Sequence, residues 1–219
     1  MNPGVFASPY PVVLDLADKP VLVVGGGLIG ARKATGLVEA GARVTVVSPS
    51  AVPGVVDNPA VRWHSRVYRR GEVASYRLAV AATSDPAVNA QVARDADAAN
   101  VFVNSVDDPP NCTFITPAIV HRGDIQVAVS TNGRSPALAR WLRTRFAATT
   151  ATAGGLLDVV SDVRDELRTA FGTSETDRWD EALDDDLLEA AAAGRYDEAR
   201  DRLRAALRLP ELAAERERS

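Results

Sequence analysis

The chain of 219 residues carries a net charge of −4 and one cysteine, Cys112. That length holds one large domain or two small ones around real cores, and the ordinary balance of apolar and charged residues excludes a disordered chain. One cysteine excludes an internal disulfide and a cysteine-based zinc site, no apolar run reaches membrane-spanning length, and no basic-then-hydrophobic leader opens the chain, so a cytoplasmic protein is expected.

Residues 1–9 read as a frayed lead-in, Tyr10-Pro-Val-Val-Leu14 as a short strand and Asp15–Pro20 as a turn. Val21 to Val24 are four consecutive apolar residues, the pattern of a strand buried on both faces. They run into Gly25-x-Gly27-x-x-Gly30, and the residues beyond have helical spacing (Ile29, Lys33, Leu37, Val38). Strand, glycine bend and helix in that order form a dinucleotide-binding fingerprint. Gly25 permits the turn, Gly27 lets a pyrophosphate approach the backbone, and Gly30 lets the helix pack on the strand. Gly26, Leu28 and Ile29 complete the cofactor-binding bend, whose free N–H groups and positive dipole end suit an anion.

Gly41 stops the helix and Val44–Val47 supply a second strand. Ser48 stands where an acid for the adenosine ribose is expected; with Pro49 it is assigned to the cofactor, and the fingerprint leaves NAD against NADP open. Pro49–Gly54 reads as loop, because two prolines and a glycine break any periodicity. Val61–Val67 alternates as a strand, and its His64 has no second metal ligand near it. Tyr76–Ala82 is a buried strand ending at Thr83, another cofactor candidate, and Ser84-Asp85-Pro86 caps a helix holding Val88, Asn89, Val92 and Ala96. Asn100–Val106 is the next strand. Such alternation predicts an open parallel sheet whose ligands bind beyond the carboxyl ends of the strands, where Asn104, Ser105, Asp107 and Asp108 stand.

Phe114–Val120 and Asp124–Ser130 follow as strands. Thr131-Asn132-Gly133-Arg134-Ser135 is a turn of small polar residues whose Ser135 caps a helix over 136–146, a second candidate anion cradle; with Asn104, which is also assigned to the cofactor, it is the candidate substrate-binding group. Residues 113–150 carry five basic residues (Arg122, Arg134, Arg140, Arg143, Arg145) against one acid, whereas 151–219 carry ten against eighteen. A short basic band on an acidic chain suits a small polyanion or a subunit contact, not nucleic acid. Ala147–Gly155 reads as a small-residue boundary or hinge, Leu156 to Phe171 and beyond as helix, 191–207 as a helical hairpin, and Glu211–Ser219 as a frayed end.

These segments together resemble the precorrin-2 dehydrogenase family, the siroheme-synthase N-terminal module. The likeness is carried by Gly25–Lys33 with Val44–Pro49, Ala81–Asp85 with Asn89, Asn104–Pro109, Phe114–Pro117 and Val127–Arg140. It covers most of residues 10–146. The acidic helical end matches weakly, by length and helicity.

The resemblance implies an α/β protein: a Rossmann-type NAD-binding domain over 1–112, a small α+β dimerisation segment over 113–149 and a C-terminal helical domain over 150–219. It implies NAD-linked oxidation of precorrin-2 to sirohydrochlorin in siroheme biosynthesis, with Asp107 as the catalytic residue and Thr131 where family members often carry serine. It also implies a homodimer and, in some members, insertion of ferrous iron. Cys112 and the two histidines make no ligand set, so a ferrous or cobaltous ion would be held by the tetrapyrrole nitrogens. Two other readings use the same residues: a dinucleotide-sensing binding module, and an NAD-dependent dehydrogenase of another anionic substrate.

Overall fold

The computed structural model describes residues 5–209. The chain divides into two compact units, one of residues 1–116 with 132–134, the other of 117–131 with 135–219.

In the first unit β1 (Pro20–Gly26), α1 (Leu28–Glu39), β2 (Arg43–Ala51), α2 (Pro53–Val56), β3 (Val61–Ser65), β4 (Leu78–Ala81), α3 (Pro86–Ala98) and β5 (Phe102–Ser105) alternate. The strands form a parallel sheet in the order β3-β2-β1-β4-β5, a Rossmann topology whose order reverses between β1 and β4. The two-residue period of a strand sorts the Val21–Val24 run onto both faces. Leu22 and Val24 pack with Val47, Ala79, Ala81 and Val103 against Val92 and Ala96 of α3, while Val21 and Val23 pack with Val44, Val46 and Val80 against Ala31 and Ala34 of α1. Each buried valine or leucine contributes about 1.5–3 kcal/mol.

Three sequence expectations change here. Tyr10–Leu14 forms no strand and its apolar side chains are exposed, since Pro11 lacks a donor and β1 already has neighbours on both sides. Pro49 does not end β2: the register with β1 shifts after Val24, so that Gly26 pairs with Ala51, and this bulge carries the proline before α2 begins at Pro53. The lead-in is held at Val5 and Phe6, whose backbones bond to Asn132 (Val5 N to Asn132 O, 2.9 Å).

The second unit holds an antiparallel hairpin of β6 (Ala118–Arg122) and β7 (Ile125–Val129), then α4 (Pro136–Thr149), α5 (Ala153–Phe171), α6 (Trp179–Ala182), α7 (Asp185–Ala192) and α8 (Tyr196–Ala206). The strand expected from Phe114 starts only at Ala118, because the Thr113 and Phe114 N–H groups turn back onto Val103 O. The small-residue stretch at 147–155 holds the end of α4, the turn at 150–152 and the start of α5. Val159, Val163 and Leu167 of α5 recur every four residues and bury against Leu187, Ala199, Leu203 and Leu207, so α7 and α8 close as the expected hairpin. Arg204 grips Glu166 with two bonds (2.6 and 2.8 Å) and Arg200 reaches Asp162 (2.9 Å), tying α8 to α5. The end expected to fray lies outside the described residues.

Asp95 fastens α3 to the segment before β4. Its carboxylate accepts from Gly71 N (2.7 Å), Tyr68 OH (2.9 Å) and Gln91 Nε2 (2.7 Å). Burial pushes the carboxyl up, but these donors and Arg70 outweigh it and hold Asp95 below the usual aspartate range. A depressed folded-state pKa stabilises above the unfolded value of about 3.9 and is lost as pH falls through the folded one. Asp95→Asn is therefore expected to lower the melting temperature at pH 7 by about 4 °C, and the gap to wild type is expected to close below about pH 4, as followed by circular dichroism.

Candidate functional site

One row of register runs across the first sheet: Val47 of β2 beside Val24 of β1, Val24 beside Ala81 of β4, and Ala81 beside Ser105 of β5. The residues that follow each of these, Ser48, Gly25, Ala82 and Val106, therefore emerge together at the carboxyl edge, across the β1/β4 switch point where open α/β sheets bind ligands.

The bend after β1 is shaped by backbone contact. Gly25 has φ +119°, and a side chain there would collide with Ala82 O and stand 3.0 Å from Thr83 N. A side chain at Gly30 would collide with Gly25 O, so α1 lies directly on the turn it follows. Gly27 differs: its missing Cβ would meet nothing within 4 Å. Gly27 is also the N-cap of α1, it supplies no side-chain cap, and the first turn holds no acid. Orphan helix N–H groups, open space and no competing anion fit a pyrophosphate. Leu28 and Ile29 leave apolar surface exposed beside the bend.

At the flanks, Ser48 O accepts from Trp63 Nε1 and Pro49 O from Ser65 Oγ, both at 3.1 Å, so β3 braces the end of β2. Thr83 is fixed by Asn89, whose Oδ1 accepts from Thr83 N (3.2 Å) and Oγ1 (2.8 Å) while its Nδ2 donates to Thr83 O (3.1 Å). Asn89 is buried. Sequence reasoning gave it no site role, although a polar residue on the apolar stripe of α3 was the signal.

The loop leaving β5 separates two adjacent aspartates. Asp108 is occupied: its Oδ2 accepts from Ser105 Oγ (3.2 Å) and Asn111 Nδ2 (2.7 Å). Asp107 is exposed, has φ +58°, and makes no hydrogen bond or ion pair among the described residues. A left-handed conformation is uncommon outside glycine, though aspartate tolerates it better than most. Here it turns the Asp107 carboxylate out of the turn that Asp108 closes.

Behind the loop, Asn104 is buried and its Nδ2 donates to Phe114 O (3.0 Å). Cys112 Sγ accepts from Ser105 N (3.3 Å) and donates to Ser105 O (3.1 Å). Burial pushes the thiol pKa up, and the charge of Asp108 acts in the same direction, so it stays protonated as that donor. The lone cysteine is thus part of the loop's frame.

The Thr131–Ser135 turn is committed mostly to itself. Thr131 Oγ1 bonds to both Ser135 N and Ser135 O at 3.0 Å, and Ser135 Oγ caps α4 through Leu138 N at 3.2 Å. Asn132 (φ +52°) holds Phe6 through its amide, and Gly133 has φ +75° with a side chain excluded by Val5. Arg134 is the exposed, uncommitted member. Arg122, Arg134, Arg140, Arg143 and Arg145 have no carboxylate partner among the described residues; Arg145 lies over the Trp141 ring, 5.2 Å from its centroid. Among the described residues no group of three or more His, Cys, Asp or Glu could hold a metal ion, and no helix is long and apolar enough to cross a membrane.

The sheet order and the glycine bend define a Rossmann-type dinucleotide-binding protein. The family model described as "Putative NAD(P)-binding" matches residues 12–118, and that described as "Sirohaem biosynthesis protein central" matches 122–149. The siroheme synthase of Methylococcus capsulatus is 40% identical over 214 residues, 95% of this chain and 44% of that protein. The siroheme synthase of Methylobacillus flagellatus is 40% identical over 196 residues, 87% and 42%. The solved structure of SirC, a precorrin-2 dehydrogenase, shares the fold, with a TM-score of 0.65 at 24% identity over 93% of this chain and 99% of that one. The chain is thus similar to siroheme synthases, matching the two family models in sequence order, and it spans less than half the length of the curated relatives it matches.

The glycines separate ligand space from packing space. Gly27→Ala is expected to fold as wild type and bind NAD at least about tenfold more weakly in calorimetric titration. Gly30→Ala is expected to lose about 1–3 kcal/mol of stability in urea unfolding, because its methyl has backbone in its way.

Proposed function

We propose that the chain is an NAD-dependent precorrin-2 dehydrogenase, oxidising precorrin-2 to sirohydrochlorin on the route to siroheme. One observation carries the chemistry: a carboxylate without partners among the described residues, Asp107, is carried by the loop that leaves the same strand edge as the glycine bend. NAD, held by the Gly25–Gly30 bend with Ser48, Pro49 and Thr83 at its flanks, supplies the hydride acceptor. The ring must also lose a proton, and the Asp107 carboxylate takes it as general base. Asp108, bonded to Ser105 and Asn111, holds the loop and leaves the neighbouring oxygens free.

The substrate carries many carboxylates. The five arginines of the basic band, unpaired within the described chain, are suited to offset that charge, with Arg134 the exposed donor of the Thr131–Ser135 turn. Asn104 and Thr131 act in this reading by shaping the loop and the turn, since their side-chain hydrogen bonds are internal to them. A ferrous or cobaltous ion would enter as a second substrate, bound by the ring nitrogens. Residues 113–149 serve as the contact segment of a cytoplasmic homodimer, supported by the exposure of Ile119, Leu138, Trp141 and Phe146 on β6 and α4.

Asp107→Asn keeps the volume and tolerates the left-handed backbone. Under anaerobic conditions with precorrin-2 it is expected to lower NADH formation at least about a hundredfold while the Kd for NAD stays within about twofold. Near-normal turnover by this variant removes Asp107 from the role of base. Trp141→Glu is expected to shift the sedimentation of the wild-type dimer to that of a monomer.

A further inference from the structure

Lys33 lies on the second turn of α1, one turn beyond the glycine bend, and is half-buried. Its Nζ donates to Thr116 Oγ1 at 3.1 Å. Thr116 closes the segment that leaves β5, carries Asp107 and returns past Cys112. The other side-chain bonds of that segment run within it or to β5, from Thr113 to Val103, Phe114 to Asn104 and Cys112 and Asp108 to Ser105. Among the described residues the Lys33 bond is the side-chain hydrogen bond from this segment to the helix of the bend, beside the apolar packing of Val106 and Phe114 on the core that holds Ala31 and Ala34. Burial and then the charge of Arg32 lower the Lys33 pKa, with Cys112 acting the other way, so the amine is held inside the structure at a cost in hydration. Arg32, the next residue, is exposed.

Removal of a hydride and a proton from one substrate requires the nucleotide and the base to keep a fixed separation. The nucleotide's pyrophosphate is set by the N-terminus of α1, and the base rides on a loop whose other hydrogen bonds run to β5 and, from Val106 N to Ala81 O (2.9 Å), to β4. We propose that Lys33 is a positioning residue: through Thr116 it ties the Asp107 loop to α1, so that the base is registered against the helix that receives the nucleotide. The inference rests on the reading of Asp107 as general base and on the distance between those two elements. Thr116 accepts the bond through a hydroxyl, so either partner can be removed without introducing a charge at the other.

The test compares Lys33→Met, Thr116→Val, the double variant and Lys33→Arg with wild type in anaerobic precorrin-2 oxidation, alongside calorimetric NAD binding and thermal melting. Each single variant is expected to lose about tenfold in kcat, with the Kd for NAD and the melting temperature close to wild type. The double variant is expected to be no slower than the slower single one, since both remove the same bond, and Lys33→Arg, which restores a donor, is expected to recover most of the loss. Undiminished kcat in Lys33→Met and Thr116→Val, multiplying losses in the double variant, or a loss that follows melting temperature and NAD affinity overturns the proposal. Should Lys33→Met fail to fold, Thr116→Val decides by the same split. Wild-type protein that fails to oxidise precorrin-2 instead removes the dehydrogenase reading itself.

Discussion

Two places where backbone touches backbone set the geometry of everything else at the carboxyl edge. The turn after β1 lies so close to the start of the β4 exit that no side chain fits at Gly25, and the first turn of α1 lies so close to Gly25 that none fits at Gly30. Close approach of this kind aims the orphan N–H groups of α1 along the switch point between β1 and β4. It also explains why Asn89 is buried at the foot of α3. With α1 packed against the bend, Thr83, the second residue after β4, has no room to wander, and a side-chain amide takes both of its backbone polar groups.

The pair Asp107 and Asp108 illustrates how one dipeptide divides into an unbonded and a bonded carboxylate. Two carboxylates in sequence are equivalent by composition, and either could cap the turn that Pro109 begins. Backbone conformation breaks the tie. With φ +58° at Asp107, successive side chains no longer alternate as in a strand, and Ser105 and Asn111 close on the second carboxylate alone. The strain is supported from behind by the Asn104, Cys112 and Thr113 bonds, all buried or half-buried. An unusual backbone angle persists only where its surroundings over-determine it.

Charge is organised differently in the two parts of the second unit. In the helical tail most arginines are spent: Arg164, Arg168, Arg195, Arg200, Arg202 and Arg204 each meet a carboxylate. Exposed pairs of this sort add little stability and chiefly settle which helix faces which. The arginines of the hairpin and α4 meet none, which leaves a concentrated positive field on a chain that is acidic overall. An unpaired basic surface is a standing preference for an anionic partner.

Much of the fold was legible in the order of residues, because its signals are local. The Val21–Val24 run, the glycine spacing, the Asp85-Pro86 and Ser135-Pro136 helix starts and the four-residue recurrence of Val159, Val163 and Leu167 each report on backbone within a turn or two, and the structure places a strand, a bend, two capped helices and a buried helix face there. The bulge that carries Pro49 through β2, the missing strand at Tyr10–Leu14 and the late start of β6 escaped notice because strand pairing depends on which neighbour is available, a long-range matter. The site divided along the same line. Sequence by itself determined the glycine bend between β1 and α1 and nominated the acids after β5. Only the tertiary structure decided which of two adjacent aspartates is unoccupied, that Asn132 spends its amide on Phe6, and that Lys33 meets Thr116, since these follow from contacts between residues far apart in the chain.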